Sequence, residues 1–279
     1  MAMPFIERIA LAGMSAPIDR NPHITPGALG ASWNFHAVSG PRSIRPVRFS
    51  VSQPLAETAP LPPNFLDKVE LSPGIIMPVL ENDGLEVLAF RLDAEQNVIR
   101  KICVCLNGEE RRRAEELRLE RDRRRFVATR GQLRRVLASK LGISPSEVEL
   151  EYGRLGKPHL SRRMPSRDLH FSVSRSGDVA VVALSTRQEV GVDIEAVLPV
   201  PEADEIAALC FSACEYGSYI ALGARDRLEG FLRRWTLLEA VSKALGCGLG
   251  QPLSWDERDW AVRRFVPKPG HIGTVVVRN

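Results

Sequence analysis

The sequence lacks several features that would assign it to a class at once. Its five cysteines form no C-x-x-C pair and no spacing typical of a zinc site. Their number is odd, and we interpret them as reduced thiols. No apolar run approaches the roughly 20 residues that a membrane-spanning helix needs. The short apolar stretch at 9–14 follows Glu7 and Arg8 and does not resemble a secretory signal. These absences predict a cytoplasmic protein with no membrane partner.

Aromatic residues are scarce at 6%, but the rest of the composition is ordinary. Hydrophobic residues make up 44% and charged residues 26% of 279 residues, as in a typical soluble globular protein. A chain of this length can bury a core without disulfides or a structural metal, and it suits two small domains or one large one.

The net charge is only +4, but positive charge is concentrated in one segment. Eleven arginines and four acidic residues lie between positions 111 and 135. The run is consistent with a solvated helix face, with a docking surface for an acidic partner protein, or with a nucleic-acid-binding stripe. Phe126 is the one aromatic residue in the run, so we expect no nucleic-acid partner.

The amino-acid composition and the spacing of apolar residues change near position 70. Residues 1–70 are rich in proline and show no periodic apolar spacing, which predicts an irregular N-terminal extension without a functional site. The remainder predicts an α+β fold. We divide it into a first subdomain at 71–187 and a second, which carries the candidate metal site, at 188–279.

In the first subdomain, the runs 85–91 and 98–106 have the apolar and β-branched composition of strands. Asn107 and Glu110 have the spacing of a capping box, in which each side chain bonds the other's backbone amide at the start of a helix. A helical stretch with at least one break is predicted to run from there to Leu141 and to end at Gly142.

Later segments show similar signals. The run 170–185 predicts a hairpin that turns at 175–178. Ser212 and Glu215 form a second capping box. The further predictions are strands at 190–194, 260–266 and 272–278 and a helix at 231–245 that ends at Gly246.

The two subdomains share several sequence signals at similar spacings. The capping boxes lie 105 residues apart, the helix ends at Gly142 and Gly246 lie 104 apart, and His170 and His271 each open a late strand 101 residues apart. Near-equal offsets suggest a duplicated unit of about 100 residues in a pseudo-twofold arrangement. Because ligand sites commonly lie at domain interfaces, we expect a single cleft between the halves.

The sharpest chemical signal is the segment GVDIE at 191–195. On a strand, Asp193 and Glu195 point to the same face while Val192 and Ile194 point to the other. Two neighbouring carboxylates repel each other unless a cation offsets their charge. Mg²⁺ is commonly held by one or two carboxylates together with a substrate phosphate. The alternative is a solvated strand edge.

A second signal lies on the helix WTLLEAVSK at 235–243. Trp235, Glu239 and Lys243 are spaced by four residues and share one face. Glu followed by Lys at this spacing is a common surface ion pair, but a tryptophan on the same face favours packing. The alternative to a surface pair is a cleft wall in which Glu239 joins a metal and Lys243 reaches a phosphate.

Several of these motifs occur in the same order as in a known protein family. The chain resembles the Sfp-type 4′-phosphopantetheinyl transferases over roughly residues 71–279, and GVDIE followed by W-x-x-x-E-A-x-x-K is the specific part of the likeness. The stretch 109–137 also resembles the first-half helices of that family. The ordered motifs are GKP at 156–158, HFSVSRSGD at 170–178, GVDIE at 191–195, FSACEY at 211–216 and WTLLEAVSK at 235–243.

The resemblance implies the 4′-phosphopantetheinyl transferase fold and a reaction. A serine hydroxyl of an apo acyl or peptidyl carrier protein attacks the phosphate joined to pantetheine in coenzyme A, and adenosine 3′,5′-bisphosphate leaves. Mg²⁺ is implied at Asp193, Glu195 and Glu239. Glu239 and Asp193 are the implied catalytic residues, with Glu239 or a metal-bound water as the base.

The resemblance also implies a coenzyme A site. Ser174 is its hydrogen-bond donor, Arg112 is a looser match, and Glu215 occupies an acidic position near the site. The residues implied to bind coenzyme A are Arg112, Arg125, Lys157, Pro158, Ser174, Arg175 and Lys243.

Three positions depart from the family pattern. Ser172 stands where asparagine is usual, and Arg175 stands where histidine is usual, which keeps a cation that binds phosphate well. Leu238 replaces a lysine and puts the phosphate contacts of that turn in doubt. These departures motivate an alternative function, a catalytically degenerate homologue that binds coenzyme A or carrier proteins. Because one chain can form the whole cleft, we expect a monomer.

Overall fold

A computed structural model describes residues 76–82, 84–166, 168–249 and 256–279 of the chain. The extension predicted at 1–70 therefore lies outside the described residues. The mixed α/β fold class agrees with the prediction. Within the described ranges, no helix combines the length and the apolar character that crossing a bilayer requires.

The first unit is a four-stranded antiparallel sheet in the order β1-β2-β6-β5, with three helices between β2 and β5. A short hairpin of β3 and β4 precedes β5, and a 3₁₀ turn lies at Pro145–Glu147. The bounds are β1 Met77–Asn82, β2 Leu85–Arg91, α1 Gln96–Cys103, α2 Gly108–Glu116, α3 Glu120–Leu141, β3 Leu150–Tyr152, β4 Pro158–Leu160, β5 His170–Ser176 and β6 Val179–Ser185.

The second unit is a three-stranded antiparallel sheet in the order β7-β9-β8. Three helices again follow its first strand, and a 3₁₀ turn at Glu257–Asp259 leads into β8. The bounds are β7 Val190–Ala196, α4 Ala203–Cys210, α5 Ala213–Ile220, α6 Ala224–Leu245, β8 Trp260–Phe265 and β9 His271–Arg278.

The two units have the same plan. In each, one strand leads to helices and then to an antiparallel pair, and the order β2-β6-β5 corresponds to β7-β9-β8. Helices α3 and α6 both have 22 residues. Both end at a glycine in the left-handed region, Gly142 at φ 67° and Gly246 at φ 65°, where glycine avoids the strain of other residues. The division at 187/188 into separate subdomains stays a prediction.

One of the three sequence matches behind the repeat is wrong. His170 opens β5, which is the first strand of its pair, whereas His271 opens β9, which is the second strand of its pair. The strand that corresponds to β9 is β6. The two histidines, 101 residues apart, therefore open strands that are not equivalent. The segment between the long helix and the last pair of strands differs in length between the units.

The predicted strand at 98–106 is also wrong, because α1 covers Gln96–Cys103. Ile99 and Ile102 are buried three residues apart, which is the spacing of one helix face rather than of a strand. Gly131 in the middle of α3 allows the close approach, since a Cβ there would lie 2.1 Å from Ile102 Cγ2. Apolar content alone did not distinguish a short buried helix from a strand.

Among the described residues, three buried clusters join the helices and sheets into four layers. One cluster joins the first sheet to α1–α3 and includes Phe90 and Leu137, and a second joins the other sheet to α4–α6 and includes Phe231 and Trp235. The third includes Val181, Val192 and other residues of both sheets, so the sheets pack against each other. Alternate residues of β7 therefore face the opposite sheet and α6.

Candidate active site

The candidate site lies where β5 of the first unit runs beside β7 of the second. These strands belong to different sheets, and serine side chains of β5 bridge them. Ser172 Oγ accepts from the Val192 amide at 3.1 Å, Ser174 Oγ from Ile194 at 3.3 Å, and Ser176 Oγ from Ala196 at 3.0 Å. We call Ser172, Ser174 and Ser176 the serine ladder. It satisfies amides on the edge of β7 that faces away from β9, with which no strand in the described ranges pairs.

Two serines of this ladder also bond the predicted carboxylate pair. Asp193 and Glu195 are 2% and 4% exposed. Ser174 Oγ donates to Asp193 Oδ1 at 2.7 Å, and Ser176 Oγ donates to Glu195 Oε2 at 2.8 Å. The pair is therefore not a solvated strand edge, because both carboxylates are buried and bonded to hydroxyl groups.

Lys243 supplies positive charge to the same place. Its Nζ donates to Asp193 Oδ1 at 2.6 Å and to Ser174 Oγ at 3.0 Å. The side chain of Lys243 is 26% exposed, so its ammonium lies where the buried carboxylate meets solvent. Ser174 makes one donated and two accepted hydrogen bonds, the full capacity of a hydroxyl group.

A close approach of α6 to β7 creates this geometry. A Cβ on Gly191 would lie 1.9 Å from the Ala240 carbonyl oxygen and 2.6 Å from the Ala244 amide nitrogen. Only glycine allows the helix backbone to come so near. Gly191 thus lets α6 pack on β7 with Lys243 beside Asp193.

The carboxylate pair fits a divalent cation. Asp193 Oδ2 is buried and has no hydrogen-bond partner among the described residues, and a buried carboxylate oxygen normally has a partner. A cation bound through one or two carboxylates would provide one. The described ranges contain no group of three or more Asp, Glu, His or Cys side chains arranged to hold a metal. Magnesium and a third ligand therefore stay predictions.

Glu239 lies on α6, one turn before Lys243 on the same helix face, and is half-buried. Burial and then the negative charge of Glu239 raise the pKa of the Cys210 thiol to about 11. Glu239 is thus close enough to influence the end of α4.

The predicted cation Lys157 lies at the other end of β7. Its Nζ is 2.5 Å from Glu189 Oε2 and donates to the Ala244 carbonyl at 2.9 Å. His170 Nδ1 lies 3.1 Å from the second oxygen of Glu189. Burial raises the pKa of Glu189, but the hydrogen bond and charge of Lys157 outweigh it and lower the pKa. Lys157 therefore connects the turn before β4, which begins at buried Pro158, to the last turn of α6.

The predicted arginines lie in the first unit. Arg125 on α3 donates two hydrogen bonds to Asp93, at 2.8 and 2.7 Å, and the bonds from Arg125 lower the pKa of Asp93. Arg175 lies on β5 between two members of the serine ladder and is half-buried. Arg112 is exposed on α2. The structure thus brings Ser174, Asp193, Glu195 and Lys243 together, whereas Arg125 and Lys157 pair with other carboxylates, Asp93 and Glu189.

Comparison with known proteins identifies the family. A model described as "4′-phosphopantetheinyl transferase superfamily" matches residues 189–269, and one described as "4′-phosphopantetheinyl transferase, N-terminal" matches 93–187. The 4′-phosphopantetheinyl transferase HetI of Nostoc sp. is 31% identical over 172 residues, which span 62% of this chain and 73% of the relative.

The chain belongs to the 4′-phosphopantetheinyl transferase superfamily.

Two other relatives match this chain over about half of their own length. The phosphopantetheinyl transferase of Thraustochytrium sp. is 34% identical, with 52% of this chain and 54% of the relative covered. The L-aminoadipate-semialdehyde dehydrogenase-phosphopantetheinyl transferase of Xenopus laevis is 34% identical, with coverages of 52% and 51%. The predicted enzyme class, a phosphopantetheinyl transferase that uses coenzyme A, is confirmed, and the degenerate homologue is not favoured.

Two residues of interest in this phosphopantetheinyl transferase have roles that the sequence did not reveal. Glu215 accepts from the Ser212 amide at 2.8 Å, as the predicted capping box requires, but its buried ion pair with Arg234, which joins α5 to α6, had no sequence signal. Ser176 was not among the predicted site residues, although it contacts Glu195 directly. Its position two residues after Ser174, on the same face of β5, was the available signal.

Proposed function

We propose that the protein transfers the 4′-phosphopantetheine group of coenzyme A to a serine of an apo acyl or peptidyl carrier protein in a magnesium-dependent reaction. The serine oxygen forms a bond to the phosphorus that carries pantetheine. The bond from that phosphorus to the bridging pyrophosphate oxygen breaks, and adenosine 3′,5′-bisphosphate leaves. The buried pair of Asp193 and Glu195, with Lys243 beside it at the junction of the units, carries this proposal.

Each group near the pair has a proposed role. Asp193, Glu195 and Glu239 hold Mg²⁺, which when bound neutralises charge on the pyrophosphate. Lys243 binds a phosphate oxygen next to Asp193. Glu239 accepts the proton of the attacking serine, and its half-buried position on the lysine-bearing face of α6 supports that role.

The nucleotide end of coenzyme A requires further cations. We assign Arg125, Lys157 and Arg175 to its phosphates, with Pro158 and Ser174 lining the site and Arg112 as a more distant contact. Arginine suits phosphate because its planar fork makes two parallel hydrogen bonds. The positions of these side chains in the unit that adjoins the carboxylate pair support the assignment.

The arginine-rich segment at 111–135 is proposed to bind the acidic carrier protein. Arg111, Arg112 and Arg121 are exposed on α2 and α3, and complementary charge accelerates encounter between proteins. We propose that the protein works in the cytoplasm as a monomer, without a nucleic-acid or membrane partner.

One experiment tests both the transfer activity and its dependence on the proposed metal site. Purified protein is incubated with coenzyme A, Mg²⁺ and an apo carrier protein, and the intact mass of the carrier is measured over time. One added phosphopantetheine group is expected, and chelation of the metal should abolish the gain. Asp193→Asn should slow transfer by about 100-fold or more, since metal stabilisation of the transition state contributes several kcal/mol.

Glu229→Gln is the matched control, because it removes a carboxylate of α6 that pairs with Arg233 near the surface. Its rate should equal that of the wild type. Wild-type protein that binds coenzyme A yet modifies none of several carrier classes would contradict the proposal and favour the degenerate homologue.

A further inference from the structure

The serine ladder has a regular structure to which the roles assigned above give no explanation. Its members alternate along β5, so all three hydroxyl groups point the same way. Together they accept hydrogen bonds from every second amide of β7: Ser172 from Val192, Ser174 from Ile194 and Ser176 from Ala196.

Two members of the ladder perform a second task. Ser174 and Ser176 each accept from the amide that follows a carboxylate residue and donate to that carboxylate. The third member differs, because the residue before Val192 is Gly191, which has no side chain. Ser172 therefore bridges the strands without holding a carboxylate, and it provides an internal comparison.

The hydroxyl proton gives each carboxylate a directed contact. A serine hydroxyl group has one proton to donate, and in Ser176 that proton is directed at Glu195 Oε2 while the amide of Ala196 fixes the oxygen from the other side. Glu195 is only 4% exposed, so this hydrogen bond constrains a carboxylate that is already enclosed. Groups that orient metal ligands commonly change metal affinity when they are removed.

We propose that Ser176 is a positioning residue for Glu195, and Ser174 for Asp193, so that β5 of the first unit orients the metal carboxylates of the second. The inference rests on the proposed function, because it requires Asp193 and Glu195 to bind the metal. Ser174 also contacts Lys243, and it is a proposed coenzyme A ligand, so Ser176 gives the cleaner test.

The experiment measures binding of Mn²⁺, as a spectroscopic substitute for Mg²⁺, by the electron paramagnetic resonance signal of the free ion. The full chain is titrated with coenzyme A present and the carrier protein absent, so the readout is affinity rather than turnover. Ser176→Ala should weaken Mn²⁺ binding by about tenfold. Ser176→Thr keeps the hydroxyl group and should retain affinity within about twofold of the wild type.

Ser172→Ala is the matched control, because it removes the same kind of bridge to β7 but no bond to a carboxylate. It should leave Mn²⁺ affinity within about twofold of the wild type, and thermal unfolding should show whether the two alanine variants lose comparable stability. Equal Mn²⁺ affinity in Ser176→Ala and Ser172→Ala, with Asp193→Asn clearly weaker, would reduce the ladder to a structural bridge and overturn the inference. Unchanged affinity in Asp193→Asn would instead overturn the proposed metal set, and the inference with it.

Discussion

Leu238 illustrates how the environment of one side chain changes the meaning of a sequence difference. The resemblance places a lysine there, and the missing cation suggested weaker phosphate binding. In the structure Leu238 is 0% exposed and packs in the second core with Phe231 and Trp235. The leucine therefore contributes to the stability of the fold, whatever its counterpart does in relatives.

Leu238→Lys should destabilise the protein without improving catalysis. A lysine ammonium at this position would lose its water without gaining a partner, at a cost of about 3 kcal/mol or more. Leu245→Lys is the control, since Leu245 is 43% exposed in the last turn of α6, where the helix dipole favours a cation. Urea unfolding should show a large loss for the first variant and little change for the second. Faster transfer by Leu238→Lys at unchanged stability would contradict this account.

His271 is a buried titratable residue beside the turn between β5 and β6, where Gly177 approaches its ring. Burial lowers the pKa of His271, and the positive charge of Lys268 lowers it further. The backbone of Pro269 and the negative charge of Asp178 raise the pKa, but by less. An exposed histidine titrates at about pH 6.5. As the pH falls, the unfolded chain therefore binds this proton before the folded protein does.

The stability that His271 contributes is present above about pH 6.5 and is lost as the pH falls towards its lower folded pKa. His271→Gln removes the titration. The loss of unfolding free energy between about pH 7.5 and pH 5.5 should therefore be smaller in His271→Gln than in the wild type, as measured by urea unfolding. An equal loss in both proteins would show that other groups determine the response.

Among the helices and strands, the contact between α6 and β7 determines the geometry of the site. It depends on Gly191, because the Ala240 carbonyl occupies the place of a Cβ. The helix then brings Lys243 to Asp193, while β7 presents both carboxylates on one face. A small shift of α6 would change all of these contacts together.

Gly191→Ala should lower both stability and activity. The new methyl group must displace the backbone of α6, and overpacking of this kind costs about 1–3 kcal/mol or more. Gly217→Ala in α5 is the control, since a Cβ there meets nothing within 4 Å. Alanine in that helix should be neutral or stabilising by up to about 1 kcal/mol. Thermal unfolding and the carrier mass assay measure both effects, and wild-type behaviour of Gly191→Ala would contradict the packing argument.

Elements with a local signal were predicted well from the sequence. Both capping boxes form, at Asn107 and Ser212, and the hairpin of β5 and β6 turns at Gly177 as its sequence indicates. These features depend on residues three or four positions apart. The strand predicted at 98–106 failed, because a short apolar run fits a buried helix equally well and packing against α3 decides between them.

At the scale of the molecule, the site combines both units. Ser174 and Ser176 come from the first, whereas Asp193, Glu195 and Lys243 come from the second. One chain thus supplies every residue of this cluster, which removes the need for a second copy.

We therefore expect a monomer in solution. Size-exclusion chromatography with light scattering should give a mass near 30.9 kDa, unchanged by dilution. A concentration-dependent mass near twice that value would contradict the expectation and would call for a search for the dimer interface.

The amino-acid sequence was enough to predict which of the site residues share a face. Asp193 and Glu195 share a face because side chains alternate along a strand, and Lys243 shares a face with Glu239 because a helix repeats every 3.6 residues. Three features could be found only in the folded protein: Ser176 bonds Glu195, Lys157 bonds the end of α6, and Leu238 is buried. Those contacts join residues far apart in the chain, and they depend on strand register and helix docking, which the packing of the whole core sets.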